Sequence, residues 1–302
     1  MAEYLTTKEL AALLRIKERK VYDLAASGKI PVSRATGKLL FPRAEIDAWI
    51  ATGTDGAVQA PAVIPAARNA AAERTRPNIV LGSHDPLLEW SLKESGSGLA
   101  AYFDGSGDGL RRFAAGEGIA AGVHLYDAAA DDWNTAAALG PVAQTPSVAI
   151  DWAKRRRGLI LRDGVADRVG SLADLVGVRF AGRQSDAGAQ VLLAAKLREA
   201  AVSDSAINTT VVARSETDAV MALVEDRADA CFGLEMLAAQ FKLVFVPIVE
   251  ERFDLIVDRR AYFEAPLQSL LEFTRTKAFA AKAEAFPGYN TTGLGAVRFN
   301  GP

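Results

Sequence analysis

Hydrophobic positions along this chain fall into three regimes. From Tyr4 to Ile50 they come in short helical spacings. Leu10, Leu13 and Leu14 share one face behind Thr6 and Thr7, either of which can cap a helix with Lys8 or Glu9 in its first turn. Arg15-Ile16-Lys17-Glu18 reads as a turn with one buried anchor, Ile16. A second helix follows over 18–26 with Val21 and Leu24 inward and Gly28 ending it. Residues 30–41 read as a small hairpin, and Pro42-Arg43 lead into a last helix over 44–50 anchored by Ile46 and Trp49. From 51 to 77 the large apolar groups nearly vanish, and Ala, Gly, Thr and three prolines (Pro61, Pro65, Pro77) replace them; this is a linker, Ala-rich over 66–73. From Asn78 onward, strand-like runs alternate with helical spacings, the pattern of an α/β fold with mainly parallel sheets.

One device recurs in that third regime. Ile79-Val80-Leu81 stops at Gly82-Ser83-His84-Asp85, and Leu87, Leu88 and Leu92 follow at helical spacing, so the stretch reads strand, tight turn, helix. Ser83 and Asp85 stand where an N-cap belongs. Ser106 lies in a similar turn before Leu110 and Phe113, Ser185 before a helix over 189–200, and Thr217 before a helix ending near 225. Residues 119–126, 147–151, 159–161, 178–181, 209–213, 228–232, 245–247 and 253–257 read as strands, and 266–286 as a helical tail. Lys154-Arg155-Arg156-Arg157 reads as solvated surface, since no aromatic or glycine pattern accompanies it. Two of the four turns precede the strand at 147–151 and two follow it. A two-lobed molecule would set Ser83 and Ser106 opposite Ser185 and Thr217 across a cleft beyond the carboxyl ends of the strands. Helix starts offer N–H donors and partial positive charge, which suits an oxyanion or another small polar ligand. The same turns also serve as ordinary helix caps.

Composition narrows the function. The chain has 302 residues, half of them hydrophobic and about a quarter charged, an ordinary globular balance with room for two or three domains. A single cysteine, Cys231, excludes a disulfide framework and a cysteine-based zinc site within the chain. No apolar run approaches a membrane span, and Met1-Ala2-Glu3-Tyr4 lacks a signal-peptide pattern, so a cytoplasmic location with no membrane contact is expected. Charge is uneven: residues 1–50 carry nine Lys/Arg against six Asp/Glu, a net of +3, while the remainder is 26 against 31, a net of −5. A basic module on an acidic body points to nucleic acid. No nucleophile with a paired base and no Gly-x-Ser-x-Gly motif is present, so no catalytic residue, metal or cofactor is expected.

The first 50 residues resemble the excisionase-type DNA-binding domain, a small winged helix-turn-helix. The resemblance rests on Tyr4-Leu5-Thr6, Glu9-Leu10-Ala11, Val21-Tyr22, Gly28-Lys29-Ile30-Pro31 and Phe41-Pro42-Arg43 before Ile46 and Trp49. It implies that the second helix enters the major groove of double-stranded DNA. Lys17, Arg19, Lys20 and Tyr22 are the expected DNA contacts on that helix, with Arg34 and Lys38 on the wing.

Residues 78–295 resemble the periplasmic-binding-protein-like domain of cytoplasmic regulators related to molybdate-binding proteins. The residues that carry it include Gly82-Ser83-His84-Asp85, Gly105-Ser106, the run from Ala121 through Val123-His124-Leu125 to Asp127, Arg183-Gln184, Ala228-Asp229-Ala230, Phe245-Val246-Pro247 and Gly288-Tyr289. The resemblance implies a type II two-lobed domain over 78–302, with lobe 1 at about 78–148 and 252–302 and lobe 2 at about 149–251. Domains are therefore expected at 1–50, 51–77 (linker) and 78–302. The expected ligand-binding residues are Ser83, His84, Asp85, Ser106, His124, Arg183, Gln184, Ser185 and Thr217. The implied protein is a one-component transcription regulator, a homodimer on its operator, whose effector is molybdate or tungstate. The family turn after Arg-Gln reads Gly-Ser-Gly-Thr-Arg, whereas here it is Ser185-Asp186-Ala187-Gly188-Ala189-Gln190; a cation is missing and a carboxylate added. A small organic acid is the alternative effector, and an excisionase-like architectural protein whose large domain only oligomerises is the alternative function.

Overall fold

Thr6 sets where the first helix begins. In the computed structural model, which describes residues 4–26, 30–32, 39–43, 45–47 and 76–302, the Thr6 hydroxyl accepts the Glu9 amide at 3.3 Å, and the Glu9 carboxylate accepts the Thr6 amide at 2.8 Å. This capping box starts α1 (Thr7–Leu14) directly after β1 (Tyr4–Thr6). Arg15 ends α1 with φ 53°, and α2 (Glu18–Ala26) follows. β1 pairs antiparallel with β2 (Leu40–Pro42), Leu5 opposite Phe41. Leu5, Leu10, Ala11, Val21, Ala25, Ile30, Phe41 and Ile46 form one small core. Leu13, expected inward, is exposed, because it lies at the edge of the face that Leu10 and Leu14 define. The expectations placed on Gly28, Arg34, Lys38, Trp49 and linker residues 51–75 lie outside the described residues.

The chain divides into two units, Met1–Ala70 and Ala71–Pro302. The second is built in order from β3 (Ile79–Gly82), α3 (Pro86–Glu94), β4 (Ala100–Phe103), α4 (Ser106–Ala114), β5 (Ala120–Val123), β6 (Tyr126–Asp127), β7 (Asp132–Trp133), α5 (Ala136–Leu139) and β8 (Ser147–Leu161). There follow α6 (Asp163–Ala166), β9 (Arg179–Arg183), α7 (Gly188–Glu199), β10 (Asn208–Ala213), α8 (Glu216–Val224), β11 (Ala230–Leu234), α9 (Glu235–Gln240) and β12 (Val244–Asp258). Helices α10 (Ala265–Phe273) and α11 (Lys277–Glu284) and strands β13 (Tyr289–Asn290) and β14 (Val297–Asn300) complete it. Among the described residues no helix is long and apolar enough to cross a membrane.

Strand order is β10-β9-β11-β8-β12-β5-β3-β4, with β13 and β14 also on β8. Two halves follow from the pairing. On one side β4, β3 and β5 run parallel, and β5 joins residues 254–257 of β12. On the other, β10, β9 and β11 run parallel, and β11 joins residues 157–161 of β8. Among the described residues only β8 and β12, paired antiparallel from Ser147↔Asp258 to Val244↔Leu161, pass through both halves. Their register shifts between Pro247 and Val249 and between Phe253 and Asp254. Pro247 has no N–H for the ladder, and shifts of this kind bend a strand. Each half is covered on both faces. Leu159 and Leu161 pack with Phe180, Leu192 and Phe232, while Ile160, of opposite pleat, packs with Val220, Leu223 and Leu237.

The basic run 154–157 is not a solvated surface. It lies within the continuous strand β8, where Lys154 and Arg156 point out while Arg155 and Arg157 are 0% exposed. Strand alternation selects them. Arg155 donates to Asp85 at 2.9 Å and to Glu251 at 2.5 Å. Arg157 donates to Glu251 at 2.8 and 2.9 Å and to Glu216 at 2.6 Å. Asp85 also accepts the Leu88 amide at 2.7 Å, the Trp152 indole at 3.0 Å and the Tyr289 hydroxyl at 2.7 Å. Burial opposes the charge on Arg155, yet Glu251 and Asp85 outweigh it and hold the guanidinium above its ordinary pKa. Removing one partner strands the rest: Arg155→Met should destabilise the body by about 3–5 kcal/mol, read as a fall in its urea midpoint. A midpoint unchanged from wild type would show that the network does not hold the body together.

Candidate functional site

Two glycines bring a helix start onto the strand ends. A Cβ on Gly82, whose φ is +99°, would lie 2.2 Å from the Gly122 carbonyl oxygen, and one on Gly109 would lie 2.2 Å from the Gly82 Cα. With no side chains there, the first turn of α4 rests against the carboxyl ends of β3 and β5. No side chain caps α4 at Gly105, and none caps α7 at Ala187. The amides of Ser106, Gly107 and Asp108, and of Gly188 and Ala189, lack acceptors within their helices. Helices α3 and α8 differ. Asp85 caps the first, and Ser215 caps the second in a capping box, accepting the Asp218 amide at 3.0 Å while the Asp218 carboxylate accepts the Ser215 amide at 3.0 Å.

The uncapped helix starts meet at a cavity of about 70 Å³ between the two halves of the body. Ser83, His84, Phe103, Asp104, Gly105, Asp108 and His124 line it from one half; Arg183, Gln184, residues 186–189 and Arg214, Ser215 and Glu216 line it from the other. The cavity is several times the roughly 10–15 Å³ that one water needs on the same measure, so a molecule of a few heavy atoms fits.

Of the residues expected from sequence, Ser83, His84, His124, Arg183 and Gln184 line this cavity. Ser106 is behind it: its hydroxyl pairs with that of Ser83 at 2.8 Å and accepts the His124 amide at 3.2 Å. Asp85 is corrected to a structural role. It is 0% exposed, all its neighbours are donors from the body's interior, and it does not reach the lining. Ser185 is exposed and Thr217 lies inside α8; neither lines the cavity, and the caps fall two residues away at Ala187 and Ser215. The Ser215-x-x-Asp218 box was visible in sequence as a cap signal. Glu216 had no local signal, because its partner Arg157 is 59 positions away. In the head, Lys17, Arg19, Lys20 and Tyr22 are exposed, as are Glu18 and Asp23, while Val21 and Ala25 are buried, so α2 and the residue before it present a polar, charged side.

His124 is buried, with Nδ1 3.1 Å from a Glu251 oxygen. Burial pulls its pKa below the ordinary imidazole value, although Glu251 works against this. A carboxylate only accepts, so Nδ1 carries the proton and Nε2 of the neutral ring is an acceptor. Nε2 abuts the start of α7: a Cβ added to Gly188 would lie 3.1 Å from it. Burial opposes ionisation of Glu216, but Arg157 and Arg155 outweigh it and hold the carboxyl below its usual range. Its Oε1 accepts from Arg157, while Oε2 is buried without a hydrogen-bond partner. Burial lowers the pKa of Arg183, which donates to the carbonyls of Ala213 at 3.2 Å and Arg214 at 2.8 Å. His84 pairs with Glu89 at 2.8 Å. Cys231 is interior to β11, and burial pushes its thiol pKa up, away from a reactive thiolate. Among the described residues no cluster of three His, Cys, Asp or Glu is placed to hold a metal ion.

These shifts fix a pH profile. A folded-state pKa below the unfolded one stabilises the fold above the unfolded pKa and is lost on acidification. For His124 that loss begins as pH falls through about 6.5. For Glu251, which burial opposes but Arg155 and Arg157 hold well below the usual range, and for Glu216, it begins below about 4.5. The melting temperature should therefore fall in two stages, one between about pH 7.5 and 5.5 and one below about pH 4.5, and His124→Gln should remove the first. An unaltered profile between pH 7.5 and 5.5 in that variant would exclude His124 as its cause.

Comparison with known proteins bears on both units. A family model described as a PBP superfamily domain matches residues 89–275, and a helix-turn-helix domain model matches residues 4–54. The uncharacterized protein YvgK of Bacillus subtilis (strain 168) is 22% identical over 299 residues, covering 97% of this chain and 96% of its own, so the similarity runs through head and body alike. The sulfate-binding protein SubI from Mycobacterium tuberculosis H37Rv superposes with a TM-score of 0.50 at 15% identity, over 71% of this chain and 86% of that one. The tungstate ABC transporter structure from Geobacter sulfurreducens gives a TM-score of 0.48 at 13% identity, over 67% and 95%. The chain belongs to the PBP superfamily, as a two-lobed binding-protein-like body preceded by an excisionase-type helix-turn-helix head.

Proposed function

We propose that this protein is a ligand-responsive DNA-binding transcription regulator that senses a small anion in the cleft of its binding-protein-like body. The observation that carries the reading is the pair of helix starts, α4 and α7, left without side-chain caps at one small cavity that also holds Arg183. Five amides there lack intrahelical acceptors, and an anion supplies them. Arg183 has no salt-bridge partner among the described residues, so its charge is available to the ligand.

Because α4 and α7 belong to opposite halves, one anion bonded to both favours the closed arrangement. β8 and β12 are the strands through which the halves move relative to each other. Ligand drives that change only to the extent that it binds the two arrangements with different affinity. In this reading residues 1–50 are the DNA reader, 51–77 the linker and 78–302 the sensor, and the chain works as a homodimer on paired half-sites. Molybdate or tungstate is the effector the sequence resemblance favours, and a small organic acid is the second candidate.

A thermal-shift panel of molybdate, tungstate, sulfate, phosphate and small carboxylic acids tests the sensor. At least one should raise the melting temperature, and Ser83→Ala should weaken its binding by about one to two decades, since a hydroxyl bonded to a charged ligand contributes roughly 1.5–3 kcal/mol. No shift with any of them would favour a purely oligomerising body. For the head, Arg19→Ala with Lys20→Ala should weaken operator binding and reduce the salt slope by about two units. Unchanged binding in a salt titration would place the DNA-reading surface elsewhere.

A further inference from the structure

Resting on the small-anion reading, we infer that the anion sensed carries a hydrogen-bond donor of its own, an acidic O–H or an N–H, and is not a fully deprotonated tetrahedral oxyanion. The cavity has donors on two sides, the amides of α4 and α7. It also has acceptors that those amides do not satisfy. Glu216 lines the cavity, and its Oε2 is buried with no hydrogen-bond partner, while its Oε1 is occupied by Arg157 at 2.6 Å. His124 also lines it, and with Nδ1 committed to Glu251 the ring leaves Nε2 as a lone pair beside Gly188.

Charge points the same way. The lining holds the carboxylates of Asp104, Asp108, Asp186 and Glu216 against the guanidiniums of Arg183 and Arg214. Asp108 is neutralised by Arg111 at 2.6 Å and Arg112 at 2.7 Å. Glu216 shares Arg157 with Glu251, so one guanidinium serves two carboxylates. A bare dianion held by the helix amides would face Glu216 with like charge and leave Oε2 unpaired. A ligand with one proton to give turns that contact into a hydrogen bond: its anionic oxygens take the amides and Arg183, and its O–H or N–H bonds to Glu216 or His124. A buried acceptor built for a donor rejects the analogue that lacks it. The class comprises protonated oxyanions such as hydrogen phosphate, and small carboxylates bearing a hydroxyl or amino group.

Matched pairs separate the two sources and test the idea. Isothermal titration at pH 7.5 compares hydrogen phosphate with sulfate, and lactate with propionate, alongside molybdate and tungstate. The donor-bearing member of at least one pair should bind roughly tenfold or more tightly than its partner. Glu216→Gln keeps an oxygen for Arg157 and puts an N–H donor in place of Oε2, so it should shrink that ratio by about tenfold, with gains for sulfate. Tighter wild-type binding of sulfate, molybdate or tungstate than of every donor-bearing anion would overturn this inference and leave the anion sensor standing. If the substituted protein fails to fold, the wild-type ratios alone decide. Absence of binding by all six would sink the small-anion reading itself.

Discussion

Glu251 lies fully buried between Arg155 and Arg157, and the body is assembled around that sandwich. All three side chains sit on the two strands that cross between the halves. Taking an ion out of water carries a penalty of several kcal/mol, which a single pair seldom recovers. Here each guanidinium meets two carboxylates: Arg155 bridges Glu251 to Asp85, and Arg157 bridges Glu251 to Glu216. Asp85 begins a helix of one half and Glu216 a helix of the other. The network therefore ties the two crossing strands to both halves at once. Its remaining imbalance is visible in the unpaired Arg155 Nε, Arg157 Nη1 and Glu216 Oε2.

That arrangement explains why the cavity lies where it does. β8 and β12 are shared by the two halves, and the carboxyl ends of β3, β5 and β9 all face the gap between them. Helix starts are forced there by chain direction, since β3, β4, β9 and β10 each run into a turn and then a helix. Two of those starts are satisfied internally by Asp85 and Ser215, and two are left to the cavity. Glu216 belongs to both systems. A ligand that bonds to it alters the charge balance around Arg157, so the binding wall and the crossing strands share one side chain. His124 is coupled in the same manner through Glu251, with its other nitrogen on the cavity side against Gly188.

Much of this was legible in the chain, because the signals were local. The Thr6–Glu9 box, the strand runs read at 79–81 and within 119–126, the Gly-rich turn before α4 and the cap at Asp85 each depend on residues within a few positions. The α/β class and the two-unit order followed from the alternation of apolar spacings and the Pro- and Ala-rich stretch between them. Five of the expected ligand residues line the cavity for the same reason, since each lies at the end of a strand or in the turn after it. What sequence left open was set by contacts between distant segments. The run 154–157 has the composition of a surface, and only strand pairing with β12 buries alternate arginines against Glu251. Hydroxyls at Ser106, Ser185 and Thr217 look equivalent to caps by composition, but helix register moves the caps to Gly105, Ala187 and Ser215. Glu216 is an ordinary first-turn acid until the fold brings Arg157 to one of its oxygens and leaves the other unpaired. Local chemistry determines where elements start and stop; which polar groups end up paired is decided by the tertiary structure, because burial charges each of them for every partner it lacks.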